Sequence, residues 1–299
     1  MLQVKARAKV NWTLDLVGTR QDGYHLVDML MGSVELHDTL YLEKAEDISL
    51  AVQVECEQDG TFHIPLNEKN LVIRAAQSLR QVLGETRGAA IRLVKRIPVG
   101  AGLGGGSADA AAAMEGLCQL WEKIVPMETK LALGLSIGAD VPFMLTGGLA
   151  IVQGVGEILS PLPVPDPTWL VIVQPCEGLS AKEVYEAYDA GSAQEPIRRP
   201  DKLEAQAALT AGDLPRLARA MGNVLEPASI AKRPLIGNAI ARLQSLGAAG
   251  AMMTGSGSAV YGIFCDETKA RAAGEELRRR WRRTFVTHTA REGCSWRRI

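Results

Sequence analysis

The stretch "PVGAGLGGGSADAAAAM", residues 98–114, sets Gly100, Gly102, Gly104, Gly105 and Gly106 around Leu103, with Ser107 and an alanine run directly behind. Glycine loses the most backbone freedom on folding, so such crowding asks for a physical reason. Backbone N–H groups converging on a phosphate supply one. They need residues that lack Cβ and accept positive φ, and a helix N-terminus directly behind adds its own amides and a partial positive charge. The competing reading, a flexible surface linker, does not explain a strand on one side and an alanine-rich helix on the other. Gly100, Gly102 and Gly105 satisfy G-x-G-x-x-G. The dinucleotide fingerprint, however, wants a second parallel strand ending in an acid about 20 residues on. Here residues 117–137 read as helix, Pro126, helix. No lysine precedes Ser107 as a Walker A loop requires, the V-A-I-K, H-R-D and D-F-G stretches of protein kinases are absent, and "TGSGS" is only a truncated nucleophile elbow.

Other side chains could join such a site, and each has a plainer reading. Ser107, read as the N-cap of the helix with Asp109 in its first turn, could also offer its hydroxyl to a phosphate or to Mg²⁺. Asp140, in "GADVPF" after Gly138, is either a turn and cap residue or an acid–base group. Lys9 and Asn11 share the polar face of the first strand, where a lysine is ordinarily solvated. Tyr24 and His25 leave the Asp22-Gly23 turn, and Tyr185 lies in a helical stretch. Their rings could stack on a base and bond its edge, or simply close a hairpin and fill a core. None of the four histidines lies in H-E-x-x-H, and the five cysteines, Cys56, Cys118, Cys176, Cys265 and Cys294, are scattered and odd in number. No metal ligand set is predicted from the protein, and neither a disulfide framework nor a zinc site. Any metal arrives with a ligand, and a reducing cytoplasm is expected.

These residues need elements to hold them. Residues 2–16 alternate, with Leu2, Val4, Ala6, Ala8, Val10, Trp12, Leu14 and Leu16 on one face and polar residues on the other, which predicts a half-buried strand. Further strands are expected around "LYLEKA" and "DISLAVQVEC", then a helix over "NLVIRAAQSLRQVLG", a strand over "AAIRLVKRIP", and a hairpin through "GGLAIVQGVGEIL". The proline-rich stretch at 160–167 suggests a boundary between domains 1–162 and 163–299. Beyond it, "TWLVIVQP" reads as a strand, "SAKEVYEAYDA" as a helix capped by Ser180, and residues 250–289 as strand, turn, strand, helix, strand. The irregular mixture predicts an α+β fold rather than a doubly wound sheet.

Composition excludes little but usefully. In 299 residues, 47% hydrophobic and 22% charged, the net charge is −1, so no global field gathers nucleic acid or an anionic membrane. The local run "LRRRWRRTF" is read as a solvated helix end. No signal-peptide core or uninterrupted apolar stretch of roughly 18 residues is seen, so neither export nor membrane anchoring is expected.

"PVGAGLGGGSADAAA", together with "KARAKVNWTLDLVG" before it and "MMTGSGSAVYGIF" after it, resembles the three ordered motifs of the GHMP kinases. "RQDGYH", "NLVIRAA", "IGADVPFML" and "GVGE" are similar to the branch that phosphorylates a cytidine-diphosphate-linked alcohol of the non-mevalonate isoprenoid pathway. The resemblance spans about residues 5–290. It implies a two-domain fold with the active site in the cleft between domains, ATP with Mg²⁺ as donor, and a small substrate bearing a cytidine diphosphate group. A cytoplasmic monomer or homodimer is implied. Matched residue by residue, Asp140 is the catalytic aspartate and Lys9 the lysine beside it. Pro98, Val99, Gly100, Ala101, Gly102, Leu103, Gly104, Gly105, Gly106, Ser107 and Ala108 form the phosphate loop. Asn70 and Lys95 fall near the adenine pocket, and Asn11, Tyr24, His25 and Tyr185 near the acceptor. Trp12 and Thr13 depart from a smaller or aliphatic pair, and Ala108 from a frequent second serine. A different GHMP small-molecule kinase, or a catalytically silent ligand-binding relative, is the alternative.

Overall fold

A computed structural model describes residues 1–55, 64–191 and 197–299. Cys56 lies outside them; the other four cysteines are free thiols. Two antiparallel hairpin arms open the chain, β1 (Leu2–Thr19) and β2 (His25–Ala45), followed by β3 (Ile48–Val54), α1 (Leu71–Val82) and β4 (Gly88–Lys95). Next come α2 (Gly105–Leu120), α3 (Met127–Ile137), α4 (Val141–Thr146), β5 (Leu149–Gly154) and β6 (Ile158–Leu162). The remainder holds β7 (Trp169–Val173), α5 (Ala181–Asp189), α6 (Lys202–Ala211), α7 (Leu214–Ala220), β8 (Gly222–Asn223), α8 (Glu226–Lys232) and α9 (Leu235–Ser245). It closes with β9 (Gly250–Met253), β10 (Val260–Phe264), α10 (Glu267–Arg278), β11 (Thr284–His288) and β12 (Cys294–Arg298).

The first sheet runs β12-β1-β2-β4-β3. Twenty-one residues long, β2 pairs β1 along one edge and divides the other between β4 (Thr39–Ala45) and β5 (Val27–Gly32). The second sheet is β11-β7-β10-β9, all antiparallel. This is the α+β class expected, with its strands gathered into two sheets. Strand β12, which no sequence pattern announced, returns from the far end of the chain to pair with β1, so a cut after residue 162 leaves two strands of the first sheet, β8 and β12, behind it. Among the described residues no helix is long and apolar enough to cross a membrane.

Helix α2 is the structural centre. Its alanines Ala110 to Ala113 are fully buried, and a Cβ on Gly116 would press on Leu42 and Val4 at 3.0 Å. The small side chains therefore serve close helix–sheet packing, which interior packing density makes unforgiving. The inward face of β1 is buried from Leu2 to Leu16 as the alternation predicts. The outward face differs from expectation: Arg7, Lys9, Asn11 and Thr13 are buried too, because the loop after β9 and strand β8 cover it. A pattern of period two describes one layer and is blind to a second layer laid over the polar face.

Candidate active site

The glycine loop joins β4 to α2, and its residues alternate between anchor and surface. Ala101 and Leu103 are buried, while Gly100 and Gly106 are exposed. Leu103 O accepts from Lys9 N (3.1 Å) and Ala101 O from Ala259 N (3.1 Å), which ties the loop to β1 on one side and to β10's entrance on the other. Gly102 has φ +79, and a Cβ there would overlap the carbonyl oxygen of Thr254. Gly104 has φ +69 and is the cap residue of α2. The helix thus begins two residues before Ser107, which is its third residue and not its cap, and Asp109 falls beyond the first turn. The reason is chemical as much as steric. A serine cap would satisfy one of the helix's own orphan donors. With glycine at the cap, Gly104, Gly105, Gly106 and Ser107 present N–H groups that have no acceptor among the described residues. Pro98 and Ala108 are buried and Val99 half-buried, its carbonyl accepting from Gln174 Nε2 at 3.4 Å.

Lys9 reaches this loop from β1. It is 4% exposed, and its Cγ lies 3.2 Å from where a Cβ on Gly104 would stand. Its Nζ donates to Asn11 Oδ1 at 2.7 Å. Burial pushes the Lys9 pKa down, and the charge of Asp140 opposes that shift. Asp140 caps α4 by backbone position but spends no side-chain bond there. Its carboxylate has no hydrogen-bond or ion-pair partner among the described residues, and it is half-buried. The same charge, after burial, pushes the Tyr185 hydroxyl up to about 12. The charge of Asp140 is therefore felt both at Lys9 on β1 and at Tyr185 on α5.

Asn11 proves to be a strut. It is fully buried, and its Oδ1 also takes Gly255 N at 3.0 Å and lies 3.2 Å from Thr254 Oγ1. Its own N donates to Thr254 Oγ1 (3.1 Å), and its carbonyl accepts from Tyr261 Oη (2.8 Å). Its Nδ2 donates to Met29 Sδ (3.2 Å), and through Oδ1 this buried residue holds the Lys9 ammonium. Thr254, which the sequence offered only inside a longer motif, completes the link by lying 3.4 Å from Gly102 O.

On the acceptor side the structure joins two of the three aromatic candidates. His25 and Tyr185 stack with ring centroids 4.9 Å apart and 29° between planes, and His25 Nε2 pairs with Asp189 Oδ1 at 2.8 Å. Tyr185 and Asp189 sit one helical turn apart on α5, so one helix face holds the imidazole twice. Tyr24, 66% exposed, stands free at the hairpin tip. The nucleotide candidates fare otherwise. Asn70 caps α1, its Oδ1 accepting from Val72 N (2.9 Å) and its Nδ2 donating to Pro65 O (2.8 Å). The Lys95 ammonium points inward to Asp38 and Asp109, so both side chains are engaged in bonds within the fold.

The chain matches the GHMP kinases N terminal domain over residues 70–148 and the GHMP kinases C terminal domain over residues 205–283. It is 43% identical to the 4-diphosphocytidyl-2-C-methyl-D-erythritol kinase of Pelotomaculum thermopropionicum, over 95% of this chain and 96% of that one. Identity to the kinase of the same name from Alkaliphilus metalliredigens is 40%, over 96% of each chain. A crystal structure of 4-(cytidine 5'-diphospho)-2C-methyl-D-erythritol kinase superposes with a TM-score of 0.80 at 33% identity, covering 96% of this chain and 99% of that one. Homoserine kinase from Cytophaga hutchinsonii, at 20% identity and a TM-score of 0.73, shares the fold, covering 99% of this chain and 97% of its own. By ordered motifs, full-length identity and superposition alike, the chain belongs to the 4-diphosphocytidyl-2-C-methyl-D-erythritol kinase family of the GHMP kinases.

Proposed function

We propose that the chain transfers the γ-phosphoryl group of ATP to the 2-hydroxyl of 4-diphosphocytidyl-2-C-methyl-D-erythritol, giving the 2-phosphate and ADP in the non-mevalonate isoprenoid pathway. The observation that carries the chemistry is the unpartnered Asp140 carboxylate, electrostatically coupled to the buried Lys9 that touches a loop of free amides. Phosphoryl transfer asks a protein mainly for positioning and charge stabilisation. The amides of Gly104 to Ser107 and the α2 dipole hold the phosphates. Asp140 takes the proton of the attacking hydroxyl. Lys9, kept in place by Asn11, offsets charge on the incipient alkoxide.

Among the described residues no cluster of three or more His, Cys, Asp or Glu could hold a metal by itself. That suits Mg²⁺, which binds through one or two protein oxygens plus substrate phosphates. Ser107 Oγ has no hydrogen-bond partner among the described residues and lies 3.7 Å from where a Cβ on Gly138 would stand, so it faces the Asp140 turn as one such oxygen. When bound, the ion neutralises charge on the transferring group. Tyr24, His25 and Tyr185 supply stacking faces and an imidazole edge for the cytosine. A silent relative is not favoured, since the lysine, the aspartate and the loop's free amides are all in place. The test is a steady-state assay with ATP and the cytidine substrate: a new phosphomonoester at the 2-position by ³¹P NMR supports the reading, and ATP left unconsumed refutes it.

A further inference from the structure

Beneath the glycine loop three charged side chains meet out of water. Lys95 Nζ donates to Asp38 Oδ2 at 2.5 Å and to Asp109 Oδ2 at 2.7 Å. All three residues are 5% exposed or less. Each comes from a different element: Asp38 from β2, Lys95 from the end of β4, and Asp109 from α2. Asp38 does more than pair. Its Oδ1 accepts from Arg96 N (2.5 Å) and Ile97 N (2.8 Å), the two amides that begin the loop. Lys95 Nζ also lies 3.2 Å from where a Cβ on Gly105 would stand, directly under the first residue of α2. Asp109 Oδ1 is buried without a partner, a cost the fold carries for keeping a carboxylate there.

For stability alone such a trio is a poor choice, because desolvating charges costs several kcal/mol per ion and apolar residues of similar volume often do as well. What it adds is direction, since hydrogen bonds to fixed acceptors hold three elements at set distances and apolar packing does not. We propose that Lys95, Asp38 and Asp109 are a positioning clamp, which locks the loop's entry to the first turns of α2 so that the amides of Gly104 to Ser107 converge on the phosphates of ATP. Lys95 then acts on the nucleotide through the loop and not by touching adenine. The inference rests on reading this loop as the ATP phosphate site.

Asp109 gives the cleanest test, because removing it leaves Lys95 and Asp38 as a balanced one-to-one pair. Asp109→Ala cuts the tie to α2, and Asp109→Asn keeps an oxygen acceptor for Lys95. Calorimetric titration of ATP is expected to show affinity reduced about tenfold or more in Asp109→Ala, given how steeply misplacement is penalised, and restored to within about threefold of the wild type in Asp109→Asn. The acceptor KM is expected to stay within about twofold in both, since the clamp does not reach the cytidine side. Should Asp109→Ala not fold, Asp109→Leu keeps the volume without the hydrogen bond and must show the same split. Unchanged ATP affinity, or equal losses for ATP and acceptor, overturns the clamp. Failure of the wild type to bind ATP overturns the functional reading instead.

Discussion

At the scale of single residues, the proposed mechanism rests on one carboxylate that has no partner among the described residues and one lysine forced out of water. Asp140→Asn is expected to bind both substrates while kcat falls by about 10²- to 10⁴-fold, the usual range for a lost general base. Steady-state kinetics checks this, and near-normal kcat removes Asp140 from the mechanism. The pH dependence carries a second signature. Burial holds the Lys9 pKa below its ordinary value and Asp140 opposes it, so the ammonium is lost, and activity with it, at lower pH than for a free lysine. Without the opposing charge, the alkaline limb of the residual Asp140→Asn activity should move to still lower pH. Tyr24→Ala should raise the acceptor KM about ten- to a hundredfold with ATP affinity little changed, because base–aromatic stacking is worth about 1–3 kcal/mol. Its 66% exposure means that the change costs little stability, so a shift in KM is not a folding artefact. Residue types alone left these three positions open, and it is the resemblance to the GHMP kinases that picked them out in the sequence. Asn11 was legible as a motif residue but not as a strut, since its partners Thr254, Gly255 and Tyr261 lie some 240 positions away or more.

At the scale of elements, the glycine loop was readable as strand, loop and helix, and the cap was not. Serine is the stronger capping residue in general, so a sequence rule prefers Ser107. The structure instead uses Gly104 at φ +69, which leaves the first amides of α2 uncapped, as the proposed phosphate site requires. Gly104→Val should therefore lower ATP affinity severely by calorimetry while much of the fold survives. Its Cβ would resist the positive φ and run into the flexible end of Met144 and the stem of Lys9, and unchanged affinity in a folded variant takes the loop out of the site. Lys95 shows the opposite limit. Its motif position suggested a ligand contact, yet its ammonium is enclosed by two aspartates from β2 and α2. No one-dimensional spacing reports that three elements converge. The arginine run after α10 resolved as the plain reading had it: Arg279 pairs with Glu276, Arg280 lies over Trp281, and Arg278 donates to Thr284 O.

At the scale of the whole molecule, β1 lies inside the first sheet with both faces buried at its centre and brings Lys9 to the glycine loop, while the β1–β2 hairpin carries His25 out to α5. Ion pairs of Asp15 with Arg199 and of Asp28 with Lys202 brace that hairpin against the C-terminal half. The α+β class was legible from the mixed pattern of elements, whereas the return of β12 to β1 was not, because five residues with weak alternation acquire meaning only beside Leu2 to Ala6. Homoserine and mevalonate kinases share the architecture at 20% identity or less, so the fold alone does not choose the acceptor. Under the proposed function the choice falls to the hairpin tip and α5, which bring together the rings of His25 and Tyr185. One competition assay tests this most directly: ATP with the cytidine diphosphate-linked methylerythritol, mevalonate, homoserine and galactose side by side. The account predicts phosphorylation of the cytidine compound on its 2-hydroxyl, with kcat/KM for the other three lower by about two orders of magnitude or more, as expected when a site built around an aromatic base receives a substrate without one. Preference for any of the other three alcohols contradicts it.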